Sequence, residues 1–423
     1  MRIAIVSPSF PPQGANGIGS YSMHHAAGLA QLGHEVDVFT WLDPGPGNEK
    51  FWPGVSVHRI PDYSFVSVLF KVIDVLWRYF CRICQFDHEV TAWGFIRNIR
   101  GSLTIGLVFL LRYRTAFDVI ETPEWGAPGA FLHMVTRGSI RVVKCHASVY
   151  SHAINYRPYE RAAHADVVCS GMLERLSLNH AHAVLSPSRA LLPEIRDNLK
   201  FSRAVHVVPN EINPEVCRYL KEKASHVPGH AGSDSRPFTV FSSGRLDQLK
   251  GLDTIKQVLS VLSKETNGSI TFVFAGGASP AVALDLLSFK SDTLEVALLG
   301  AVSQEDVFGN LLMSDVFFFP SWTENCPMSI LEAMTLGIPI VASNVGGIPE
   351  LIQHNRNGLL CGRDQPQEFV EQIVRLHNEP ELRRRLVENG REVVAQRFAF
   401  PVLTQKWLDI VQGTEQGSRQ DND

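Results

Sequence analysis

One stretch constrains the fold of this chain more than any other: residues 320–342, PSWTENCPMSILEAMTLGIPIVA. Residues 314–320 lead into it with strand character. Pro327 then stands where a helix begins, at a first-turn position that does not need its N–H. Residues 328–335 read as that helix, and Gly337 stops it before a second strand, 338–342. Strand, loop, helix and strand in this order make a βαβ unit with a helix N-terminus at the carboxyl edge of the first strand, which is an anion site. Glu324 lies in the loop, and Glu332, eight residues on, in the helix's second turn. Read alone, Glu332 is equally a solvated helix carboxylate.

At 423 residues the chain exceeds one ordinary core, and two domains of roughly 200 residues are expected. The composition is globular, with 45% hydrophobic and 19% charged residues. A formal net charge of −4 gives no electrostatic case for nucleic acid. The opening MRIAIV reads as a buried strand and not a signal peptide, since only Arg2 precedes an apolar run that stops at Ser7 and Pro8. No charge-free apolar run reaches the ~18 residues of a membrane span. Seven scattered cysteines suit reduced thiols, so a cytoplasmic chain is expected, or one peripheral on the inner face of the membrane. Cys81 and Cys84 form a CxxC near His88 but lack a fourth ligand at zinc spacing, so no metal is expected there.

Along the chain, residues 2–7 read as a strand, 8–19 as a Gly/Pro-rich loop, 20–32 as a helix and 35–40 as a second strand, a Rossmann-type opening. The loop lacks G-x-G-x-x-G, with Ser22 at the third glycine's place, so no nicotinamide site is expected. A turn needing positive φ accounts for its glycines as well as a ligand does. Residues 55–60 are a third strand. Then Ser64, Ser67, Lys71, Asp74, Arg78 and Arg82 recur at spacings of three and four, an amphipathic helix. An apolar segment, 103–111, ends at Arg112-Tyr113-Arg114. Seven Lys/Arg against three Asp/Glu between residues 64 and 114 fit two structures equally: helices on an anionic membrane surface, or helices covering a sheet.

Strands are expected at 117–121, 140–145, 183–187 and 205–208, with a helix over 189–199. The strand 140–145 delivers His146 at its carboxyl end, where open α/β sheets bind ligands. Residues 225–237, SHVPGHAGSDSRP, are the clearest linker sequence. A second α/β pattern follows: strands at 238–242, 270–275 and 295–298, and helices at 251–263 and 304–313. After the strand at 238–242 comes Ser243-Gly244-Arg245-Leu246-Asp247-Gln248-Leu249-Lys250-Gly251. Gly346-Gly347-Ile348-Pro349-Glu350 turns into a helix, and helices over 367–397 and 402–411 follow.

These motifs together resemble the retaining nucleotide-sugar glycosyltransferases of GT-B form, the family 4 or group 1 type. The resemblance rests on the Glu324-x7-Glu332 spacing, on Gly-Arg-Leu-x-x-x-Lys-Gly at 244–251, on the opening loop, His146, the Asn210 turn and Gly346-Gly347. It implies two facing Rossmann-like domains with a cleft between them: an acceptor-side domain, 1–212; a linker region, 213–237; a nucleotide-sugar domain, 238–400; a helix, 401–412, returning to the first domain; and a disordered tail, 413–423. It implies that Arg245 and Lys250 stabilise the departing nucleoside diphosphate, that Glu324 meets the transferred sugar, and that Glu332 accepts the ribose hydroxyls. His146 would contact the sugar near the reacting carbon. Asn16 and Gly17 stand where a Gly-Gly pair approaches the donor phosphates, and Asn325, Cys326, Met328 and Ser329 complete the donor set. The chain departs from the family at Asn325-Cys326-Pro327, where Glu324 would open Glu-Gly-Phe-Gly, and at Glu211 and Asn213 in the Pro-Asn-Gly turn. No metal or other cofactor is implied, the one Asp-x-Asp being the terminal Asp421-Asn422-Asp423.

The expected activity is therefore retaining transfer of a sugar, of hexosyl type, from a nucleoside-diphosphate donor to a hydroxyl. The acceptor is a saccharide or lipid-linked molecule of polysaccharide, lipopolysaccharide or glycolipid synthesis, and 64–114 is the candidate membrane contact. A nucleotide-sugar epimerase of similar two-domain form is the alternative, and a non-catalytic binding module a third. Gly17 and His146 in one half, with Arg245, Lys250 and Glu324 in the other, imply that the domains close on the donor.

Overall fold

The computed structural model describes residues 1–11, 16–41, 48–60, 75, 93–113, 116–136, 138–148, 161–224, 237–264 and 269–420. The chain divides into two compact units, Met1–Pro209 with Leu403–Asp423, and Asn210–Val402.

The first unit holds strands β1 (Arg2–Ser7), β2 (Glu35–Thr40), β3 (Asn48–Trp52), β4 (Val55–Arg59), β5 (Val119–Pro123), β6 (Ile140–Lys144), β7 (Ala183–Ser186) and β8 (His206–Val207). They form one sheet in the order β3-β4-β2-β1-β5-β6-β7-β8. Only β3 runs antiparallel, to β4. Strands such as β1 and β5 are apolar or buried on both faces because helices cover each side. Those helices include α1 (Gly17–Gln31), α2 (Trp93–Val108), α3 (Gly129–Val135) and α4 (Arg161–His180). Ile105 and Val108 of α2, with Phe109, pack onto Ala4, Val6, Phe39 and Phe117, so this apolar segment covers the sheet. Leu107, Leu110 and Leu111 remain exposed on its other side. The basic helix expected from residue 64, and the Cys81-Cys84-His88 group, lie outside the described residues.

The second unit opens with α5 (Pro214–Ala224) and continues through β9 (Phe238–Ser243), α6 (Leu252–Leu262), β10 (Ile270–Ala275), α7 (Pro280–Leu287), β11 (Leu294–Gly300), α8 (Gln304–Leu312), β12 (Val316–Phe319) and α9 (Met328–Leu336). Next come β13 (Ile340–Ser343), α10 (Ile348–Leu351), β14 (Leu359–Cys361), α11 (Pro366–Asn378), α12 (Pro380–Val393) and α13 (Phe400–Gln420), which enters the first unit at Leu403. Its six strands are all parallel, in the order β11-β10-β9-β12-β13-β14. Val240, Phe272, Phe274, Phe318 and Val341 form the sheet's share of one core, against Ile255, Leu259, Phe369 and Ile373. In both sheets chain order reverses at the centre, between β1 and β5 and between β9 and β12, the place where such sheets open a crevice at their carboxyl ends.

Several expectations are corrected here. The linker range 213–237 begins with helix α5, whose apolar face (Val216, Cys217, Leu220, Ala224) is buried, and 225–236 lie outside the described residues. The tail set at 413 is instead helical to Gln420, since α13 continues past its buried Trp407 and Val411. The helix expected over 189–199 reduces to a short turn ending in a π-helical segment, Glu194–Asn198. Strands β3 and β14 and helices α4 and α7 escape the sequence reading, the strands because they are short and the helices because their apolar periodicity is weak.

Candidate active site

The second unit's motif residues meet at the carboxyl ends of β9 and β12, the two central strands. Three glycines make the loops interlock. A Cβ on Gly276 (φ +154°) would lie 1.8 Å from the Gly244 carbonyl oxygen, and one on Gly251 (φ +79°) 2.0 Å from that of Pro320. A Cβ on Gly346 (φ +52°) would lie 2.0 Å from the Glu324 carbonyl oxygen, which accepts from Gly347 N at 2.9 Å. Only glycine fits where backbone meets backbone this closely in a left-handed conformation.

Within that frame Asp247 caps a 3-10 turn, Gln248–Lys250, by accepting from Lys250 N, and it also takes Arg245 Nε at 2.9 Å. Trp322 N donates to Leu249 O at 2.9 Å, tying the β9 loop to the β12 loop. Lys250 Nζ therefore stands 2.5 Å from Glu324 Oε1 and 5.6 Å over the Phe319 ring. Ser243, Gly244, Arg245, Lys250, Phe319 and Ser321 line a small depression beside the pair. Arg245 keeps 59% of its side chain exposed.

Beyond Glu324 the chain turns through Asn325 and Cys326 into α9. Pro327, expected in the first turn, is the residue before it (φ −68°, ψ 121°), and no side chain caps this helix N-terminus. Cys326 and Met328 are buried, while Ser329 is half-buried on the first turn. Asn210 holds Cys326 twice: its N–H donates to Sγ at 3.4 Å and its Nδ2 to the carbonyl at 2.8 Å. Glu332 is 3% exposed and accepts from Gln304 Nε2 at 3.2 Å, which rules out the solvated carboxylate that its spacing alone allowed.

The first unit holds its candidates differently. Asn16 caps α1, accepting from Gly19 N at 2.8 Å and donating from Nδ2 to Ser9 Oγ. Gly17 has no positive φ, and a Cβ there would meet nothing within 4 Å, so a strained turn does not explain it. His146 follows β6, its N–H shared between the two oxygens of buried Glu124 at 2.7 and 2.8 Å, and its ring stands edge-on to Tyr21 at 5.1 Å. Desolvation, then the Lys144 ammonium, lower the His146 imidazole to about 3, so it is neutral. Burial raises Glu124 to about 7 against the opposing pull of the His146 N–H. Glu124 follows β5 at the sheet's central reversal and opens a turn with Gly126 (φ +72°) and Ala127 (φ +49°). Sequence reasoning missed Glu124, Gln304 and Asn210 as holders of site residues. For the first two no local motif marks the contact.

Two family models match. Residues 16–211 match a "Glycosyl transferase 4-like domain" and residues 228–393 match "Glycosyl transferases group 1". An uncharacterized glycosyltransferase of Methanocaldococcus jannaschii is 24% identical over 422 residues, covering 97% of each chain. The N-acetyl-alpha-D-glucosaminyl L-malate synthase of Bacillus anthracis is 26% identical over 56% of this chain and 61% of its own. Among solved structures, sucrose-phosphate synthase from Thermosynechococcus elongatus matches at TM-score 0.70, 17% identity and 98% and 99% coverage. Anabaena HepE, solved in complex with UDP-glucose, matches at TM-score 0.64, 15% identity and 98% and 100% coverage. These two share the fold, and both matched models are glycosyl transferase models, neither an epimerase model. With two parallel-sheet α/β domains and matched models over most of its length, the chain belongs to the group 1 glycosyl transferases of GT-B form.

Proposed function

We propose that this glycosyltransferase moves a hexosyl group from a nucleoside-diphosphate sugar to a hydroxyl of a saccharide or lipid-linked acceptor, with retention at the anomeric carbon. The observation that carries the reading is the Lys250–Glu324 pair, 2.5 Å apart at the central reversal of the six-stranded sheet, with Arg245 beside it. When the anomeric C–O bond breaks, charge builds on the departing phosphate, and fixed cations lower that barrier in a site shielded from water. An ammonium has three donors, so Lys250 keeps Glu324 while it donates to a phosphate oxygen. Glu324 then accepts from a sugar hydroxyl. His146, in the first unit, is neutral, so it offers a hydrogen bond without adding charge.

Double displacement needs a carboxylate nucleophile at the anomeric carbon plus a partner acid. Here Glu324 is assigned to a hydroxyl and Glu332 to the ribose, which favours front-face attack. The acceptor oxygen bonds to the carbon on the face the phosphate leaves, and its proton passes to a phosphate oxygen. This account routes no step through a metal. Anomeric NMR of the product, in buffer with and without EDTA, tests it. A retained configuration and full activity in EDTA are expected. An inverted product overturns the retaining assignment, and activity lost in EDTA overturns the metal-free leaving group.

A further inference from the structure

Glu332 sits on α9, yet a residue that holds its carboxylate comes from α8, 28 positions earlier in the chain. Gln304 is the first residue of α8, and a capping box fixes that end: Ser303 Oγ accepts from Asp306 N, and Asp306 accepts from Ser303 N. The Gln304 amide therefore starts from a backbone position with little freedom. Its Nε2 donates to Glu332 Oε1 at 3.2 Å, and the two residues are 6% and 3% exposed. A carboxylate oxygen only accepts, so an amide N–H is the complement it needs, and a buried bond of this kind is not replaced by water. A glutamate side chain has three rotatable bonds, and a ribose diol is recognised only if both its O–H groups find oxygens at fixed positions.

We infer that Gln304 is a positioning residue for nucleotide recognition: by holding Oε1, it sets the Glu332 carboxylate at the angle from which it accepts the 2′- and 3′-hydroxyls of the donor's ribose. The inference rests on the assignment of Glu332 to the ribose made above. It concerns binding rather than bond breaking, so its signature is selectivity for ribose over deoxyribose. Loss of packing alone weakens both nucleotides together and leaves their ratio unchanged.

The test is calorimetric titration of UDP, GDP and ADP, each beside its 2′-deoxy counterpart, into the wild type, Glu332→Gln, Gln304→Met and Gln304→Glu. Gln304→Met keeps length and apolar volume but removes the donor. The wild type should prefer the ribonucleotide by about 10–100-fold, the range of one charge-assisted hydrogen bond. Gln304→Met should lose most of that preference, the ribonucleotide weakening more than the deoxynucleotide, which keeps only its 3′-hydroxyl contact. Gln304→Glu places a second carboxylate against Glu332. It should lack the preference at pH 8 and regain it relative to the wild type towards pH 5, where a shared proton restores the donor. That arm also carries the test if Gln304→Met does not fold. A preference kept by Gln304→Met, or by Gln304→Glu at pH 8, but lost in Glu332→Gln overturns the role of Gln304 and leaves the ribose assignment standing. No preference in the wild type overturns both.

Discussion

The two sheets solve the same problem by different means. Both reverse strand order at the centre, and both place candidate residues at that reversal. In the second unit the residues come from short loops fitted to each other through glycines, at Gly251 against Pro320, Gly276 against Gly244 and Gly346 against Glu324. In the first, side chains from distant segments converge. Buried Glu121 accepts from Tyr21 Oη at 3.0 Å and from Trp407 Nε1 at 2.6 Å, while Lys144 Nζ reaches Val208 O at 2.5 Å and stands 5.0 Å from the Tyr21 ring. Backbone complementarity can be written as a local motif. A buried polar network that spans nearly three hundred residues cannot.

The comparison breaks most sharply at the glycines. Gly251→Ala should cost roughly 3–5 kcal/mol, from a left-handed backbone penalty plus overpacking against Pro320 O. Denaturant titration with hydrogen exchange should place the loss in Asn210–Val402. A variant with wild-type stability would show that the loops are not locked as described.

Next in size is Lys250→Ala, which removes the cation and keeps the frame. Turnover should fall by about 10²–10³, near 3–4 kcal/mol in the barrier, with the melting temperature little changed. A fall in stability matching the fall in rate would make Lys250 part of the frame instead.

In the first unit, Trp407→Phe keeps an aromatic side chain but loses the indole N–H and leaves Glu121 short of one donor. It should cost about 1–3 kcal/mol, seen as faster exchange in β5 and α1 and not in the second sheet. Equal exchange in both sheets would remove the distinction between the units.

The smallest effect is in pH. Burial lowers His133 and His146 to about 3 and His182 to about 4, all in the first unit. Their folded values lie below the ordinary 6.5, so the stability they contribute is present above that pH and lost as it falls. Glu124, raised to about 7, acts oppositely: its contribution is present below about 4.5 and lost as pH rises through 7. With the two half-exposed histidines discounted, the net loss in the first unit from pH 7 to pH 6 should be under about 1 kcal/mol. Glu124→Gln removes the opposing contribution and should steepen that loss. A shallower pH dependence in this variant contradicts the assigned direction.

How far the chain was legible follows from these particulars. Ile270–Ala275, Arg2–Ser7 and Glu35–Thr40 have the bounds their sequences announce, because each is a short run rich in β-branched and aromatic or aliphatic residues bounded by turn signals. The short β3 and β14 and the weakly patterned α4 owe their state to neighbours already in place. At the site, Gly244-Arg245-Leu246 through Gly251 and the Glu324–Glu332 spacing were readable because each lies within a stretch of eight or nine residues whose pattern resembles the family's motif.

The sequence by itself determined two α/β domains, most of their strands, and the placing of Arg245, Lys250 and Glu324 beyond strand ends of the second unit. Tertiary structure alone decided that Glu332 is buried against Gln304, that Asn210 grips Cys326, and that Glu124 holds the backbone of His146. The physical reason is range. Periodicity and turn chemistry act over a few residues, whereas a buried hydrogen bond is selected by whichever distant group packing brings within about 3 Å, and one sequence read locally carries no record of that choice.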